Sequence, residues 1–386
     1  MIKKNGGLGV SLEERILEIC YEEGCSLAGI APAEPFLPER KYLSIRLKEG
    51  PGLTFGGETV VARTQPSRLL TGVKSILALS FSYRMPPLPP KPGDQPRGSW
   101  ARFARPRDYH QVISSIMARI CSRIQDARPE TRWKSCVDTS PLLERAAAHR
   151  AGLGFFGKNS CLIHPELGSY TFLGEILLDL SLPPGPVKDY REGCGDCGKC
   201  LKACPTGALS APYCLDYSLC LSHLSQASDY IPPDIRPFMS ERLYGCDICQ
   251  EVCPYNRETD SRQIPGEFLP LMDPYPPLIP LLDLSKKDFA AMYRNSPLFW
   301  RGRKILQRNA IIALGNLKAR EAEVPLGRLL LEDPRPQIRG YSAWALGKIG
   351  SSRALQYLAG AMEKDRDPFV LQEVTGALYG YQMSKP

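Results

Sequence analysis

Eight cysteines in the middle of the chain have the spacing of a metal-cluster site. Cys194, Cys197, Cys200 and Cys204 are separated by two, two and three residues, and a proline follows directly. This is the run of bacterial ferredoxins, in which the fourth cysteine usually ligates the other cluster of a pair. Soft thiolates are the ligands of iron–sulfur clusters, and two-residue gaps allow consecutive thiolates to surround one cube. The run therefore predicts a 4Fe–4S cluster.

A second, shorter run contains Cys246, Cys249 and Cys253, separated by two and three residues and followed by a proline. It lacks one cysteine, which Cys220 can provide, although spacing alone leaves Cys214 as an alternative. A zinc ribbon is a competing interpretation, but eight cysteines, two proline-terminated runs and no histidine argue against it. We predict two sites, with the ligands Cys194, Cys197, Cys200 and Cys253 in the first and Cys204, Cys220, Cys246 and Cys249 in the second.

Two clusters form an electron conduit, so a substrate site must lie elsewhere in the chain. Asp138 lies in the segment 137–141 (Val-Asp-Thr-Ser-Pro), between a predicted strand and a predicted helix, which is a common position for a catalytic side chain. A helix cap is the alternative role for this carboxylate. The glycine-rich segment 152–160 permits close approach to a large ligand. The Asp-Tyr-His trio at 108–110 is typical of surface or cap residues.

Hydrophobic periodicity predicts a fold of the α+β class around these residues. The predicted elements are a helix over 12–23 capped by Ser11, a strand over 75–83, a helix over 109–127, a strand over 133–137, a helix from Ser140 to the C-cap Gly152, and a strand over 170–182. Proline-rich segments mark the ends of these parts. We predict a mixed α/β domain over 1–185, a ferredoxin-like domain over 186–260, and a connector with helical repeats over 261–386.

The last part of the chain repeats itself. Tripeptides that begin at Ala313, Ala345 and Ala377 are 32 residues apart and share the residues Ala-Leu. A period of this size with small and apolar residues is typical of stacked helical hairpins. The repeats resemble HEAT repeats and should dock on the preceding domain.

Composition and charge restrict the classes of protein. The chain has 386 residues, 43% of them hydrophobic, and no run of about 18 apolar residues that would predict a spanning helix. The N-terminus has charge but no apolar segment of a secretory signal, so we expect a cytoplasmic protein whose cysteines stay reduced. Residues 294–386 carry 15 Lys and Arg against 8 Asp and Glu, a surface suited to a polyanion.

Several long motifs resemble the tRNA epoxyqueuosine reductase family. They are VDTSPLLERA (137–146), GLGFFGKNSCLIHPELGSYTFLGEI (152–176), CGDCGKCLKACPTGAL (194–209), YGCDICQEVCPYN (244–256) and RNAIIALGN (308–316). The resemblance implies a cobalamin-binding α/β domain, a ferredoxin-like domain with two 4Fe–4S clusters, and HEAT-like repeats. It implies reduction of epoxyqueuosine to queuosine at the wobble position of tRNA anticodons, by cob(I)alamin that receives electrons through the clusters.

The resemblance also assigns residues. It makes Asp138 the proton donor and Cys220 the isolated cluster ligand. It places the following residues around the corrinoid: Arg63, Asp138, Lys158, Asn159, Ser160, His164, Ser169, Ser222 and Asp247. It implies an external electron donor, and we expect a monomer without membrane contact.

Basic side chains suggest where tRNA binds. Arg301, Arg303, Lys304 and Arg308 lie within eight residues, and at helical spacing three of them share a face. A loop before Asp108 also mixes cations with aromatic residues, at Arg97, Trp100, Arg102, Phe103, Arg105 and Arg107. Arginine beside aromatic side chains suits phosphates and unstacked bases, so we predict contacts with an anticodon stem-loop.

Two other functions fit parts of the pattern. A corrinoid reductive dehalogenase of small organohalides would share the clusters, although such enzymes typically carry an export signal and would not need a basic repeat domain. A non-enzymatic electron carrier with docking repeats would bind iron and sulfide but no corrinoid.

Overall fold

The computed structural model describes residues 11–49, 59–85, 89–186, 190, 193–257 and 264–383. The N-terminal segment on which the prediction of no secretory signal rests lies outside these residues. Residues next to the predicted boundaries at 185 and 260 lie outside them as well.

An antiparallel four-stranded sheet forms the centre of the N-terminal part. Its order is β1-β2-β7-β4, and the strands are β1 (Leu27–Pro32), β2 (Ser75–Ser82), β4 (Trp133–Cys136) and β7 (Thr171–Leu178). All three pairings are antiparallel, and Cys136 lies opposite Glu175. Every residue of β2 is buried because helices cover both faces of the sheet. The α+β class predicted from the sequence is confirmed.

The two faces of the sheet carry different helices. Leu77 and Leu79 pack with α1 (Leu12–Glu22) and α4 (Tyr109–Ala127), whereas Ile76 and Ala78 pack with α5 (Glu144–Arg150). This alternation follows from the period of two along a strand. The predicted capping of the first helix is confirmed, because Ser11 and Glu14 form a capping box. Helices α2 (Leu37–Glu49) and α3 (Val60–Thr64) join β1 to β2.

The helix predicted to start at Ser140 starts later, at Glu144. Asp138 has a positive φ of 43°, and its backbone N–H donates to the Glu144 carboxylate. The chain therefore turns through the intervening residues before the helix can begin, and Leu143 is the residue at its N-cap. The prediction of a Ser-Pro helix start was wrong because this loop folds around Asp138 instead.

Short elements follow one another from residue 155 to residue 251. They are β5 (Phe155–Phe156), β6 (Leu162–Ile163), α6 (Lys199–Ala203), β8 (Leu209–Ala211), β9 (Cys214–Leu215), α7 (Leu221–Gln226), α8 (Arg236–Met239), β10 (Arg242–Tyr244) and α9 (Ile248–Glu251). Among them, α6, β9 and α9 contain cysteines. Strand β10 pairs in parallel with β3 (Ser99–Trp100). This pairing joins the cysteine-rich segment to the loop that precedes α4.

The C-terminal part is a stack of helices, as the repeat predicted. Its helices are α10 (Ile279–Leu282), α11 (Lys286–Tyr293), α12 (Leu298–Arg301), α13 (Arg303–Asn316), α14 (Glu323–Glu332), α15 (Pro336–Ile349), α16 (Ser352–Lys364) and α17 (Pro368–Met383). A Cβ added to Gly315 would lie 2.9 Å from the Cα of Ala345, and one added to Gly347 would lie 2.9 Å from the Cα of Ala377. Small residues in the repeated tripeptide thus let α13, α15 and α17 approach closely.

The repeats are anchored to the cysteine-rich segment by a buried ion pair. Arg236 on α8 has no exposed surface, and its Nη1 donates to the Glu373 Oε2 on α17 at 2.7 Å. The guanidinium also lies over the rings of Tyr341 and Trp344. Among the helices formed by the described residues, none is long and apolar enough to cross a membrane.

Candidate active site and cluster-binding cysteines

Asp138 lies at the end of β4, where the chain leaves the sheet. Its Oδ2 accepts a hydrogen bond from the Tyr109 hydroxyl at 2.7 Å and lies 3.2 Å from the His110 Nε2. The carboxylate opens to solvent on one side, and 55% of the side chain is exposed. Tyr109 and His110 begin α4, so one helix start and one strand end together position the acid.

His110 is held between two carboxylates. Its Nδ1 lies 2.7 Å from the Oδ1 of Asp108, which also caps α4 by accepting the His110 backbone N–H. Burial lowers the pKa of His110, but its hydrogen bonds to Asp108 and Asp138 outweigh that effect and raise the pKa to about 9. At neutral pH the imidazole is therefore protonated.

The contact between His110 and Asp138 that raises the pKa of the imidazole lowers the pKa of the carboxyl group. Burial works to raise the pKa of Asp138, but the hydrogen bonds from His110 and Tyr109 hold the pKa below its usual value. The Arg301 guanidinium lowers it further through its charge. Asp138 and His110 thus form an ion pair at neutral pH.

Two carboxyl groups with raised pKa values lie near Asp138. Burial, followed by the negative charge of Asp138, raises the pKa of Glu144 to about 8. Glu175 on β7 is fully buried, and burial raises the pKa of its carboxyl group far above the usual value. Both groups are therefore neutral at pH 7, so Glu144 accepts the Asp138 N–H without placing a second negative charge beside the acid.

A row of rings lines the site, and we call it the aromatic wall. Its rings, in order, are Trp300, His110, Tyr109, Phe172, Tyr83 and Tyr170. Three pairs have centroids less than 4.5 Å apart: Tyr109 with His110 at 4.1 Å, Tyr83 with Phe172 at 4.2 Å, and Tyr109 with Phe172 at 4.4 Å. Arg102 closes the row, 4.7 Å from the Tyr170 ring. The wall leads from Asp138 towards the cysteine-rich segment.

The first predicted cysteine set surrounds one cavity. A space of about 40 Å³ is lined by Cys194, Cys197, Cys200 and Cys253. Lys158 closes one side of this cavity, and its backbone N–H donates to the Cys194 Sγ at 3.4 Å. The structure thus brings together cysteines from two runs that are about 50 residues apart in the sequence.

The second predicted set also gathers in space. The Cys220 thiol interacts electrostatically with Cys204 and with Cys246. Cys249 interacts in the same way with Cys246 and Cys220. Burial is the largest cause of the raised pKa of the Cys220 thiol. Cys214 lies elsewhere, on β9, where its Sγ accepts from the Arg46 Nη1 at 3.6 Å. This geometry favours Cys220 over Cys214.

Neither cysteine set has the geometry of a single-ion site in the part of the chain that the structure describes. Tetrahedral zinc with bonds of about 2.3 Å would hold four sulfurs within about 4 Å of one another. Within the ranges that the structure describes, no group of three or more His, Cys, Asp or Glu side chains has the geometry for one metal ion. Thiolates that each bind a different corner of a cube stand farther apart than the ligands of one ion.

Two of the predicted cofactor residues, Asn159 and Ser169, contact the cysteine-rich segment. Asn159 donates from its Nδ2 to the Cys249 carbonyl at 3.4 Å, and the Ser160 carbonyl accepts from Arg145. The Ser169 hydroxyl donates to the Gln250 Oε1 at 2.9 Å.

Other members of the predicted set lie in different parts of the fold. The His164 Nδ1 accepts from the backbone N–H of Glu166, Ser222 lies on α7 next to Cys220, and Arg63 lies on α3. Asp247 is nearly buried, and its Oδ2 accepts from the Arg102 N–H at 2.7 Å. Burial raises the pKa of Asp247 to about 6.

The predicted tRNA-binding residues divide into two groups. Arg301 and Lys304 are exposed, and Arg303 donates to the Leu284 carbonyl at 2.7 Å. Arg308 is only 4% exposed, and its guanidinium donates to the carbonyls of three residues of the cysteine-rich segment, Leu224, Ala227 and Asp229. The prediction that Arg308 binds RNA was wrong because all of its donors serve the fold.

The prediction that the loop before Asp108 contacts tRNA was also largely wrong. Trp100 and Arg105 are buried, and Arg97 donates to the Tyr275 carbonyl at 2.8 Å. Arg102 bonds the Tyr170 hydroxyl at 2.8 Å and contacts Asp247. Of its four arginines, only Arg107 is exposed.

Sequence reasoning missed His110, Tyr109, Glu144 and Trp300 as parts of the site. The Asp-Tyr-His trio at the start of α4 was visible, but its spacing also fits an ordinary cap, and Asp108 is indeed one. Glu144 and Trp300 had no distinguishing pattern, because only the folded loop and α12 bring them to Asp138 and His110.

Comparisons with known proteins agree with this geometry. A model of the epoxyqueuosine reductase QueG family matches residues 63–139, one of a 4Fe-4S double cluster binding domain matches 193–256, and one of HEAT repeats matches 301–378. The epoxyqueuosine reductase of Bacillus cereus is 37% identical over 376 residues, covering 95% of this chain and 97% of that protein. That of Listeria monocytogenes is 37% identical over 97% of this chain and 99% of its own length.

Solved structures match over the same extent. A crystal structure of epoxyqueuosine reductase with an epoxyqueuosine-modified tRNA-Tyr stem loop has a TM-score of 0.90 and 36% identity, over 96% of this chain and 99% of the other. A Bacillus subtilis epoxyqueuosine reductase, whose catalytic aspartate loop is swung out of the active site, has a TM-score of 0.89 and 35% identity, over 96% and 98%. On these grounds the chain belongs to the epoxyqueuosine reductase family.

Proposed function

We propose that this protein reduces epoxyqueuosine to queuosine at the wobble position of tRNA anticodons, with Asp138 as the proton donor. The observation that carries the proposal is the solvent-open Asp138, paired with His110 at 3.2 Å, in a chain with two four-cysteine sets. Membership of the epoxyqueuosine reductase family supports it. The same membership argues against a reductive dehalogenase.

The reaction requires two electrons and two protons. Reduction of an epoxide to an alkene breaks two C–O bonds and releases the oxygen as water. A departing alkoxide is a strong base, so a positioned acid stabilises the developing charge. Asp138 is open on the side away from Tyr109 and His110, which leaves that side for the substrate oxygen.

His110 can hold the proton that Asp138 passes to the substrate oxygen. The pKa of Asp138 is held below its usual value, so its carboxylate is ionised in the free enzyme, whereas the pKa of His110 is about 9. Asp138 can thus receive the imidazole proton across their hydrogen bond as the substrate oxygen becomes basic. Asp108 stabilises the charged imidazole before the transfer, at 2.7 Å from its Nδ1.

The interleaved cysteines would bring the two clusters next to each other. In the first run, Cys200 would ligate the first cluster and Cys204 the second. In the second run, Cys249 would ligate the second cluster and Cys253 the first. Each run therefore contributes to both sites, and α6 and α9 hold them together. Adjacent clusters suit the passage of single electrons to a site that needs two.

The residues around the aromatic wall fit a corrinoid. Among the described residues, the Nε and Nη2 of Arg105 and the Nε of Arg102 are buried without a hydrogen-bond partner. Such donors suit the amide oxygens at the edge of a corrin ring. When bound, cobalamin would supply a strongly reducing metal centre beside the substrate.

We infer that the corrinoid would be held by the set that the family resemblance assigns, namely Arg63, Asp138, Lys158, Asn159, Ser160, His164, Ser169, Ser222 and Asp247. Three of them support this: Asn159 and Ser169 bond to the cysteine-rich segment, and Asp247 accepts from Arg102, which lies against the wall. The protein's part is to orient the group and to exclude water.

Exposed cations next to the site suit a tRNA substrate. Arg301 lies close enough to act on the pKa of Asp138, and Arg303 and Lys304 follow it on the surface. A relative is solved with a modified tRNA stem loop. We propose that Arg301, Arg303 and Lys304 contact the phosphates of the anticodon stem-loop.

The remaining expectations concern the setting of the reaction. We propose a cytoplasmic monomer that receives electrons from an external electron donor. We also propose the division into a cofactor-binding domain over 1–185, a cluster domain over 186–260, and a connector with repeats over 261–386.

The test is turnover of tRNA by protein purified and handled without oxygen. Purified protein with added cobalamin and a chemical reductant should convert epoxyqueuosine in tRNA to queuosine, detected by mass spectrometry as the loss of one oxygen atom. Asp138→Asn should bind the tRNA but lose turnover by about 100-fold or more. Dechlorination of a chlorinated alkene with no action on tRNA would refute the proposal, as would protein that contains zinc in place of iron.

A further inference from the structure

Trp300 is an exposed tryptophan at the edge of the active site. It lies on α12, between the cysteine-rich segment and the helical repeats, and 59% of its surface is exposed. Large aromatic side chains are usually well buried, because their apolar surface is the main source of their stabilising effect. An exposed tryptophan beside an active site indicates that a binding partner covers its ring.

One neighbour of Trp300 is already part of the catalytic site. The Trp300 and His110 rings stack at 24° with centroids 5.7 Å apart, and His110 in turn pairs with Asp138. Trp300 therefore lies one side chain away from the acid to which the substrate oxygen would bind. The rest of the indole surface remains free for contact with that substrate.

A cation lies beside the exposed indole. The Arg301 guanidinium is 5.8 Å from the centroid of the Trp300 ring, and its charge acts on both Asp138 and Tyr244. Stacking of an unpaired base on an aromatic ring, with an arginine at the neighbouring phosphate, is a common mode of single-strand recognition. Trp300 and Arg301 present this combination to solvent.

We propose that Trp300 is the stacking surface for an unpaired base of the anticodon loop, next to the base that reacts at Asp138, and that Arg301 binds its phosphate. The inference rests on the proposed function for the class of substrate. It goes further in assigning to Trp300 a role in positioning the RNA loop.

The first test separates binding from chemistry. We expect Trp300→Ala to raise both the Kd for a fluorescent anticodon stem-loop and the KM for tRNA by about 10-fold, with kcat within about twofold of the wild type. Trp300→Phe should recover most of the affinity, because a second aromatic ring can still stack. Phe299→Leu is the matched control, since the Phe299 ring stacks on Phe289 rather than on His110, and it should behave as wild type.

The second test identifies the base. Stem-loops in which one loop position at a time is abasic should include one whose loss weakens binding to wild type by about 10-fold but leaves binding to Trp300→Ala unchanged. Such non-additivity is the mark of a direct contact. Arg301→Gln should instead lower the salt dependence of binding by about one phosphate contact, whereas Trp300→Ala should leave it unchanged.

Two outcomes would overturn the inference. An unchanged Kd in Trp300→Ala would exclude stacking on this residue. A fall in kcat with a shifted pH profile and a constant KM would show that Trp300 acts only by covering His110. Failure of the proposed function would look different, since the wild-type holoenzyme itself would not convert epoxyqueuosine, while its stem-loop affinity would still report on Trp300.

Discussion

The proton of the Asp138–His110 pair resides on the imidazole at neutral pH, because the two pKa values are shifted in opposite directions. Tyr109 contributes to the same arrangement by donating to the carboxylate at 2.7 Å. The pair can therefore act as an acid up to the pH at which His110 loses its proton.

The pH profile should report this arrangement. In the wild type, kcat should hold up to about pH 9 and fall above it, as the His110 proton is lost. In His110→Gln the only stored proton would be that of Asp138, so activity at neutral pH should fall by about 100-fold and should decline steadily from acidic pH. Steady-state rates between pH 5 and 10 measure both limbs. A variant with the wild-type alkaline limb would show that His110 does not hold the proton.

Thermal stability provides an independent measurement of the same pKa shift. Because the pKa of His110 is raised from 6.5 to about 9, its stabilising contribution is full below pH 6.5 and is lost as the pH rises through 9. The Tm difference between wild type and His110→Gln should therefore be largest on the acidic side of pH 6.5. It should shrink towards pH 9.

Glu144 should act through its oxygen rather than its charge. Burial raises its pKa to about 8, so the group that accepts the Asp138 N–H is neutral at pH 7. Glu144→Gln should keep kcat within a few-fold, since an amide oxygen also accepts. Glu144→Ala should release the loop, lower kcat by more than tenfold and cost about 1–3 kcal/mol of stability. Equal losses in both variants, measured by kinetics and urea unfolding, would show that the charge matters.

The sequence made Asp138 and the eight cysteines predictable, because a motif or a fixed spacing marks each of them. It did not make His110, Glu144 or Trp300 predictable, since their roles depend on the meeting of β4, α4 and α12. For Arg308 the prediction from the sequence was wrong. Its position on a helix suggested that the side chain is exposed, but it donates to carbonyl groups inside the protein.

At the scale of elements, the long periodic segments were predicted well. The bounds of α4, which were expected at 109–127, are those of the structure. The start of α5 was not predicted, because a Ser-Pro pair usually begins a helix and only the positive φ of Asp138 shows why it does not here. Short strands such as β3 depend on a distant partner, so no local pattern marks them.

The cysteine-bearing elements allow a direct count of clusters. Cys220 at the start of α7 interacts with the second set, whereas Cys214 on β9 is bonded to Arg46. Cys220→Ser should therefore reduce the iron content of anaerobically purified protein from about eight to about four or five atoms per chain. Cys214→Ser should retain all eight. If the two variants gave the reverse result in a colorimetric iron assay, the ligand assignment would be wrong.

At the scale of the whole molecule, one ion pair connects the cysteine-rich segment to the last helix. Arg236 has no exposed surface and Glu373 is 6% exposed, so removing either partner leaves a buried, unpaired charge. Glu373→Ala should destabilise the protein by about 3–5 kcal/mol and also lower cluster occupancy, because α8 lies within the cluster-bearing segment. Urea unfolding and iron analysis measure the two effects.

The control for this prediction is an acidic residue of the preceding helix. Glu363 is exposed on α16, and Glu363→Ala should change the free energy of unfolding by less than about 0.5 kcal/mol. A Glu373→Ala protein as stable as this control would mean that the ion pair does not anchor the repeats.

The same ion pair has a consequence for biosynthesis. Arg236 leaves the ribosome 137 residues ahead of Glu373, which corresponds to about ten seconds of translation. Throughout that interval the guanidinium lacks its carboxylate and has to remain in water. The half of the protein that carries the cysteines therefore cannot close fully until the final helix has been made, so durable assembly of its iron centres is expected to follow translation rather than accompany it.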